Sequence, residues 1–256
     1  MALANSPLPM SDLEWSTRID LAAAYQLTDL YGWTDLAGTH ISARIPGTNE
    51  FLLNPFGLFF EEITASSLIK VDCEGNLLSE SDYPINPAGF IIHSALHMGS
   101  PTAHCVMHTH TRSGNAVAMQ ADGLLPLTQK ALILEPFLRY HDYEGIALNE
   151  GERERLVTDM GQDGRVMILR NHGLLTIGES VAEAFTWMYR IENACSYQVD
   201  GLGGGQKLHY PNEKVQEQTR QQGWNVLGPN GFSRAGFEWP ALIRKLERER
   251  GTSYKS

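Results

Sequence analysis

The chain has 256 residues, of which 42% are hydrophobic and 20% charged, a composition typical of a globular protein with a sizeable core. The formal net charge of −10 leaves no basic face to neutralise a phosphate backbone, so nucleic acid is not an expected partner. No apolar stretch reaches the roughly 20 residues that cross a bilayer, and residues 1–12 lack the pattern of a secretory signal. We therefore expect a cytoplasmic protein without a membrane partner.

The first half of the chain alternates helical and extended patterns. Residues 1–10 read as a loose arm, and Ser11 and Glu14 then have the spacing of a capping box that opens a helix ending near Gly32. The further elements predicted in this half are a hairpin over 39–53, a strand over 69–71, a helix from Pro87 to about Met98, a strand over 104–110 and a helix over 113–119.

The second half continues the alternation. A helix is predicted over 149–160 and two buried strands over 165–169 and 173–177, and Ser180 with Glu183 forms a second capping box before a long helix. Residues 201–205 read as a glycine linker, and helices are predicted near 213–222 and in the charged run 244–250. Interleaved helices together with hairpin signals predict a mixed or antiparallel sheet flanked by helices.

A histidine pattern is the main chemical signal. His108 and His110 lie two residues apart on a predicted strand, so their side chains leave the same face and can converge on one point. Two half-buried histidines bonded to nearby carbonyls would explain that pair equally well. His172 favours a metal site over that explanation, because it lies at a predicted tight turn, where Gly173 permits a sharp reversal of the backbone. Three histidines so placed are typical of an open catalytic Zn²⁺ site, with Mn²⁺, Fe²⁺ or Co²⁺ as alternative metals.

Several further segments resemble one family. They follow the same order along the chain as in the class II aldolase/adducin family: Thr39 to Arg44, Asn54 to Gly57, Asn86 to Phe90, His108 with His110, Tyr140 to Tyr143, Asn171 to Leu175, and Gly178 to Ser180. The resemblance extends from about Leu13 to Gly203. It implies an α/β fold, a three-layer α/β/α sandwich with a mixed, largely antiparallel central sheet of nine strands. It also implies that residues 11–205 form the family domain, with 206–256 as a helical extension packed on it, and that the protein is a homotetramer.

The chain departs from the sugar-phosphate aldolases of that family at the substrate site. Gly89 stands where their carboxylate would, and glycine can neither bind metal nor carry a proton. His40, Phe56 and the pair Pro87–Ala88 replace their phosphate-binding residues, and Phe, Pro and Ala side chains offer no donors to a dianion. Gln129 or Lys130 takes the place of their catalytic tyrosine. The resemblance is therefore nearest to the adducin branch.

Two functions of different class follow from the resemblance. One is a zinc-dependent lyase, of aldolase or decarboxylase type, acting on a small non-phosphorylated hydroxy-carbonyl or hydroxy-acid substrate. The other is a non-catalytic adducin-like assembly module, associated with the cytoskeleton or actin. The three histidines favour the enzyme, whereas Gly89 and the missing tyrosine favour the module.

Three residues are candidates for catalysis beside the metal ligands. His93 lies on the predicted helix after Pro87, on the same face as Gly89, and is either a base near the metal or a core histidine bonded to a carbonyl. Lys130 is either a ligand for a substrate carboxylate or an ordinary surface lysine. Tyr143 lies in the polar, aromatic segment Tyr140 to Glu144, predicted to be a loop, where functional groups and interface residues both occur.

Overall fold

In the described part of the chain the strands form one seven-stranded sheet, and helices cover both of its faces. The computed structural model describes residues 10–145, 151–231 and 235–256. The strand order across the sheet is β3-β2-β1-β4-β7-β6-β5. The strands are β1 (His40–Arg44), β2 (Phe51–Leu53), β3 (Ile69–Val71), β4 (Cys105–Thr109), β5 (Leu138–His141), β6 (Val166–Leu169) and β7 (Gly173–Gly178). Among the strands of the described residues only β5 and β6 pair in parallel, so the sheet is mixed and largely antiparallel, as predicted.

Eight α-helices accompany the strands in the described part of the chain. They are α1 (Asp12–Leu30), α2 (Pro87–Gly99), α3 (Arg112–Ala118), α4 (Gln129–Leu134), α5 (Glu152–Met160), α6 (Val181–Gly203), α7 (Glu213–Leu227) and α8 (Glu238–Arg250). Helices α2 and α5 pack on one face of the sheet, and α1 and α6 form the main core on the other. The three-layer arrangement is thus confirmed. No helix in these described ranges is long and apolar enough to span a membrane.

Local sequence signals explain where the principal helices begin. The Ser11 hydroxyl accepts a hydrogen bond from the backbone N–H of Glu14 at 3.1 Å, and the Ser180 hydroxyl accepts one from Glu183 at 3.2 Å. Pro87 is the first residue of α2, where its missing N–H would have had no partner in the helix. These three starts were predicted from the sequence, and the structure confirms them.

Other expectations require correction. The described chain has seven strands in its sheet instead of nine, and the segments near Phe56 and Leu77 form only isolated bridges. The predicted loop at Tyr140 begins as strand β5, which pairs with β6 through Tyr140 and Ile168. Helix α6 continues to Gly203, so the linker predicted from residue 201 starts later. The predicted helix start at residues 149–150 lies outside the described residues.

Candidate metal centre and its cavity

The sheet order brings three histidines to one point. Strand β4 pairs with β7 in antiparallel fashion, with His108 opposite Leu175 and Thr109 opposite Leu174. The end of β4, where His108 and His110 lie, is therefore adjacent to the start of β7, which His172 immediately precedes. Neighbouring strands thus position residues that are more than sixty positions apart in the sequence.

The side chains of His108, His110 and His172, the trihistidine cluster, converge closely. One ring nitrogen from each lies within 4.8 Å of the nitrogens offered by the other two. The ring centroids are 4.6 Å apart for His108 and His110, 4.7 Å for His108 and His172, and 5.0 Å for His110 and His172. His108 is buried and the other two are partly exposed, so the cluster faces an opening at the rim of the sheet.

Hydrogen bonds determine which ring nitrogen of His108 and of His110 faces the cluster. His108 Nδ1 donates to the carbonyl oxygen of Leu174 at 2.9 Å, since a carbonyl can only accept. His110 Nδ1 lies 2.9 Å from a carboxylate oxygen of Asp35 and donates to it in the same way. Both rings, when neutral, therefore turn an unprotonated Nε2 towards the centre.

This donor set fits a metal ion. His108 Nε2 and His110 Nε2 are 2.8 Å apart, and two lone pairs that face each other at this distance repel unless a cation lies between them. A proton is not expected to be that cation near pH 7, because the pKa of His108 is well below its ordinary value. Burial is the main cause, and the neighbouring His172 and His110 lower the pKa further. Burial, with a smaller contribution from the neighbouring His110, lowers the pKa of His172 to about 4. Neutral imidazoles are the form that binds divalent metals.

The backbone around His172 differs from the prediction. Asn171 takes the left-handed conformation of the turn, with φ of 55°, a conformation that asparagine tolerates better than most residues. Gly173 is needed for another reason: a Cβ there would stand 2.5 Å from the carbonyl oxygen of Thr109. Glycine at this position allows β7 to approach β4, which brings His172 to the other two rings.

A cavity of about 280 Å³, the histidine cavity, opens beside the cluster. No lysine or arginine occurs among the described residues that line it. These are Gly38, His40, Asn86, Gly89, Ile92, His108, His110, Tyr143, Gly145 and His172. The cavity is large enough for a small ligand, and its described walls provide no cationic side chain for a phosphate group.

His40 lines this cavity; the resemblance placed it where the aldolases have a phosphate-binding residue but gave it no role of its own. It pairs with His108 across β1 and β4, and its ring centroid is 5.5 Å from that of His108. Neither ring nitrogen has a hydrogen-bond partner within the described residues. Burial, with smaller contributions from His110 and His172, lowers the pKa of His40 to about 3, so the ring is neutral near pH 7.

A chain of hydrogen bonds lies behind His40. His97 Nδ1 donates to the carbonyl of Ala103, the Ser42 hydroxyl donates to His97 Nε2, and His93 Nδ1 donates to the Ser42 oxygen, each at 2.6 Å. The carbonyl can only accept, which fixes the direction of the whole chain for neutral rings. His93 Nε2 is consequently an acceptor, and in the described part of the molecule it has no partner.

The predicted catalytic residues occupy different places. The ring of His93 is buried, and its centroid lies 4.3 Å from that of His40. Tyr143 lines the histidine cavity, with its ring centroid 6.4 Å from that of His172. Lys130 instead lines a second cavity of about 470 Å³ between α4, α6 and α8, where its ammonium group is 6.0 Å from the centre of the Tyr189 ring.

The sequence did not point to Asp35 as a residue of this site, and it did not predict that the His40 ring lies beside the trihistidine cluster. The strand register that places His40 opposite His108 is a long-range property of the sheet, without a local signal. Asp35 lies in the loop between α1 and β1 and reaches His110, 75 positions away. Besides the resemblance, a hint for His40 was its position two residues before Ser42 on a predicted strand, which places both side chains on one face.

A family profile provides independent evidence. The profile described as Class II Aldolase and Adducin N-terminal domain matches residues 19–199. The chain belongs to the class II aldolase/adducin family. The match covers the whole sheet and the trihistidine cluster, which agrees with the resemblance of the sequence motifs.

Individual members of the family show the range of similarity. A Caulobacter vibrioides protein, whose name assigns it provisionally to the class 2 aldolases, is 51% identical over 242 residues, covering 94% of this chain and 92% of that protein. Rat alpha-adducin is 44% identical over 188 residues, covering 72% of this chain and 25% of adducin. The structure of L-fuculose 1-phosphate aldolase from Glaciozyma antarctica superposes with a TM-score of 0.81 at 25% identity, covering 98% and 97% of the two chains. The similarity therefore includes both an enzyme and a part of a much longer protein.

Proposed function

We propose that this protein is a metal-dependent carbon–carbon lyase, of aldolase or decarboxylase type, that acts on a small non-phosphorylated hydroxy-carbonyl or hydroxy-acid. The observation that carries the proposal is the trihistidine cluster with two unprotonated Nε2 atoms 2.8 Å apart at the mouth of a cavity. His108, His110 and His172 would hold the ion, with Zn²⁺ as the first choice for three neutral imidazoles.

The chemistry requires a positive centre at that position. A bound divalent cation would polarise a substrate oxygen and stabilise the negative charge that develops when a carbon–carbon bond breaks. Leu174 and Asp35 hold the rings of His108 and His110 in the required tautomer. Tyr143, which lines the same cavity, is our candidate for proton transfer through its phenol hydroxyl, and His93 is a candidate base. The proposal does not extend to Lys130, because it lines the second cavity.

The cavity walls support a substrate without a phosphate group. A phosphate dianion needs several donors to offset its desolvation, and the described lining contains no lysine or arginine. We expect the purified, zinc-loaded protein to cleave L-fuculose 1-phosphate at less than roughly 1% of an ordinary enzyme's kcat/KM of about 10⁴ M⁻¹s⁻¹. A coupled aldolase assay measures this, in parallel with a panel of non-phosphorylated hydroxy-ketones and hydroxy-acids. Cleavage of the phosphate ester at the full ordinary rate would contradict the proposed substrate class.

The adducin-like assembly module is the second candidate. It is favoured by the 44% identity with rat alpha-adducin and by glycine at position 89, where the aldolases of the family carry an acid. The two candidates differ in the fourth metal position. Three histidines with an exchangeable ligand oxygen, seen in a crystal structure after soaking with a hydroxy-ketone, would support the enzyme, whereas a fourth side chain closing the sphere would support the module.

We also propose a homotetramer, following the assembly that the family resemblance implies. Light scattering at micromolar concentration should give about four times the 28.5 kDa mass of one chain. A particle of the single-chain mass would contradict this.

A further inference from the structure

Position 89 and His40 compete for the same space. A Cβ built on Gly89 would stand 2.5 Å from His40 Nε2 and 2.7 Å from its Cδ2 and Cε1. Gly89 is in the first turn of α2, and the backbone of His40 is held in β1 by pairing with His108 of β4. The ring of His40 therefore occupies the volume into which any side chain at position 89 would project, and only glycine at 89 leaves room for it.

The polarity of His40 is not explained by packing alone. The residue is 5% exposed, and both of its ring nitrogens are without partners among the described residues. A buried polar group without a partner is costly, so an apolar side chain would fill this space better if filling were its only role. A neutral imidazole offers one donor and one acceptor, and the adjacent His93 Nε2 adds a second acceptor.

We propose that His40 is a substrate-contacting residue that takes the place of the side chain missing at position 89. Its ring hydrogen-bonds a hydroxyl group of a substrate held in the histidine cavity. A hydroxyl both donates and accepts, which matches the uncharged donor and acceptor of His40 better than a phosphate or a carboxylate does. The inference rests on the proposed function, because that proposal puts the substrate in this cavity beside the trihistidine cluster.

The test uses two metal-chelating probes that differ by one hydroxyl group, glycolohydroxamate and acetohydroxamate. Calorimetry measures the affinity of both for zinc-loaded wild type and for His40→Ala, with zinc content determined in parallel. We expect His40→Ala to retain its zinc and to bind glycolohydroxamate about tenfold more weakly, the value of one hydrogen bond. Its affinity for acetohydroxamate should remain within about twofold. His209→Ala, which removes an exposed histidine, is the control and should match wild type.

Gly89→Ala provides a second route that leaves His40 intact. Its methyl group would displace the His40 ring, so it should reproduce the selective loss for glycolohydroxamate. Adding Gly89→Ala to His40→Ala should cause no further loss, because the ring that it displaces is already absent. His40→Asn, which restores a donor and an acceptor, should recover part of the affinity.

The outcomes separate this inference from the proposed function. If wild type binds no zinc, both are overturned. If wild type binds zinc and both probes, but His40→Ala keeps its zinc and weakens neither probe or both equally, only the role of His40 is overturned. Loss of zinc from His40→Ala would also overturn it, since His40 would then support the metal centre.

Discussion

Asp35 orients His110, one of the three proposed metal ligands, from an exposed position. Its carboxylate accepts the hydrogen bond from His110 Nδ1 at 2.9 Å, while its side chain remains 53% exposed. The bond holds the ring so that Nε2 faces His108 and His172. Because His110 is itself partly exposed, without Asp35 its ring could turn towards solvent.

We expect Asp35→Ala to bind zinc about 10-fold to 100-fold more weakly than wild type, the usual effect of removing such a partner. Competition with a chromophoric chelator measures the affinity. Asp122→Ala, which removes an exposed carboxylate from a turn, is the matched control and should leave the affinity unchanged. Equal affinities for Asp35→Ala and wild type would show that His110 does not depend on Asp35.

The sequence alone predicts the relative orientation of side chains that lie on the same helix or strand. The spacing of His108 and His110 predicts a common face because both lie at the end of one strand. His40 and Gly89 show the limit, since the contact between them depends on how β1 and α2 are placed in space. From the sequence alone, glycine at 89 indicates only that a carboxylate is missing, whereas the structure shows that this glycine makes room for the ring of His40.

The packing of α7 against α4 depends on one glycine. A Cβ on Gly223 would lie 2.6 Å from the carbonyl oxygen of Ile133 and 2.7 Å from its Cα. The next residue, Trp224, stacks on Phe137 with ring centroids 5.2 Å apart. The close approach at Gly223 allows this stacking, because any side chain there would separate the two backbones.

Gly223→Ala should therefore lower the free energy of unfolding by about 1–3 kcal/mol, the usual cost of overpacking. The sign is opposite to the gain of up to about 1 kcal/mol that alanine gives over glycine in an unconstrained helix. Gly203→Ala is the matched control, since a Cβ at this α6 position would meet nothing within 4 Å. Urea denaturation measures both variants, and a Gly223→Ala protein as stable as the control would contradict the packing argument.

Elements with strong local signals were predicted, whereas strand β5, which has no such signal, was not. Ser11 and Ser180 cap their helices through side-chain bonds to their own first turns, and Pro87 suits the first position of α2, where no N–H partner is needed. Strand β5 has four residues without clear alternation and forms through parallel pairing with β6, which follows it after an intervening helix. Its second half, Tyr140 and His141, was consequently predicted as part of a loop.

Buried neutral histidines link the stability of the molecule to pH. Burial is the main reason that the pKa values of His40 and His97 are lowered to about 3 and that of His93 well below its ordinary value. A lowered pKa in the folded state means that the unfolded chain binds more protons between that value and about 6.5. The stabilisation is therefore complete above about pH 6.5 and is lost as the pH falls towards 3.

We expect metal-free protein to lose stability between pH 6.5 and 4 at up to about 1.4 kcal/mol per pH unit for each linked proton. Urea denaturation in a chelating buffer at several pH values measures this slope. His97→Gln removes one such group and should show a shallower slope, whereas His209→Gln at an exposed position should show the wild-type slope. A His97→Gln slope equal to that of wild type would contradict the assignment of His97.

The fold class was predictable because the hairpins and interleaved helices allow few arrangements. The strand order was not predictable from the residues alone, since the neighbours of β4 are β1 and β7, both distant in the chain. That order is what places His172 beside His108. The assembled site thus required the structure, whereas its three histidines could be selected from the sequence.

The most direct test of the account is the metal content of the purified protein. Elemental analysis of wild type, purified without added metal, should find close to one zinc per chain, and the His108→Ala, His110→Ala double variant should contain almost none. His104→Ala, at the opposite end of β4 from the cluster, should retain the wild-type content. The same metal content in the double variant as in wild type would contradict the assignment of the trihistidine cluster as the metal centre.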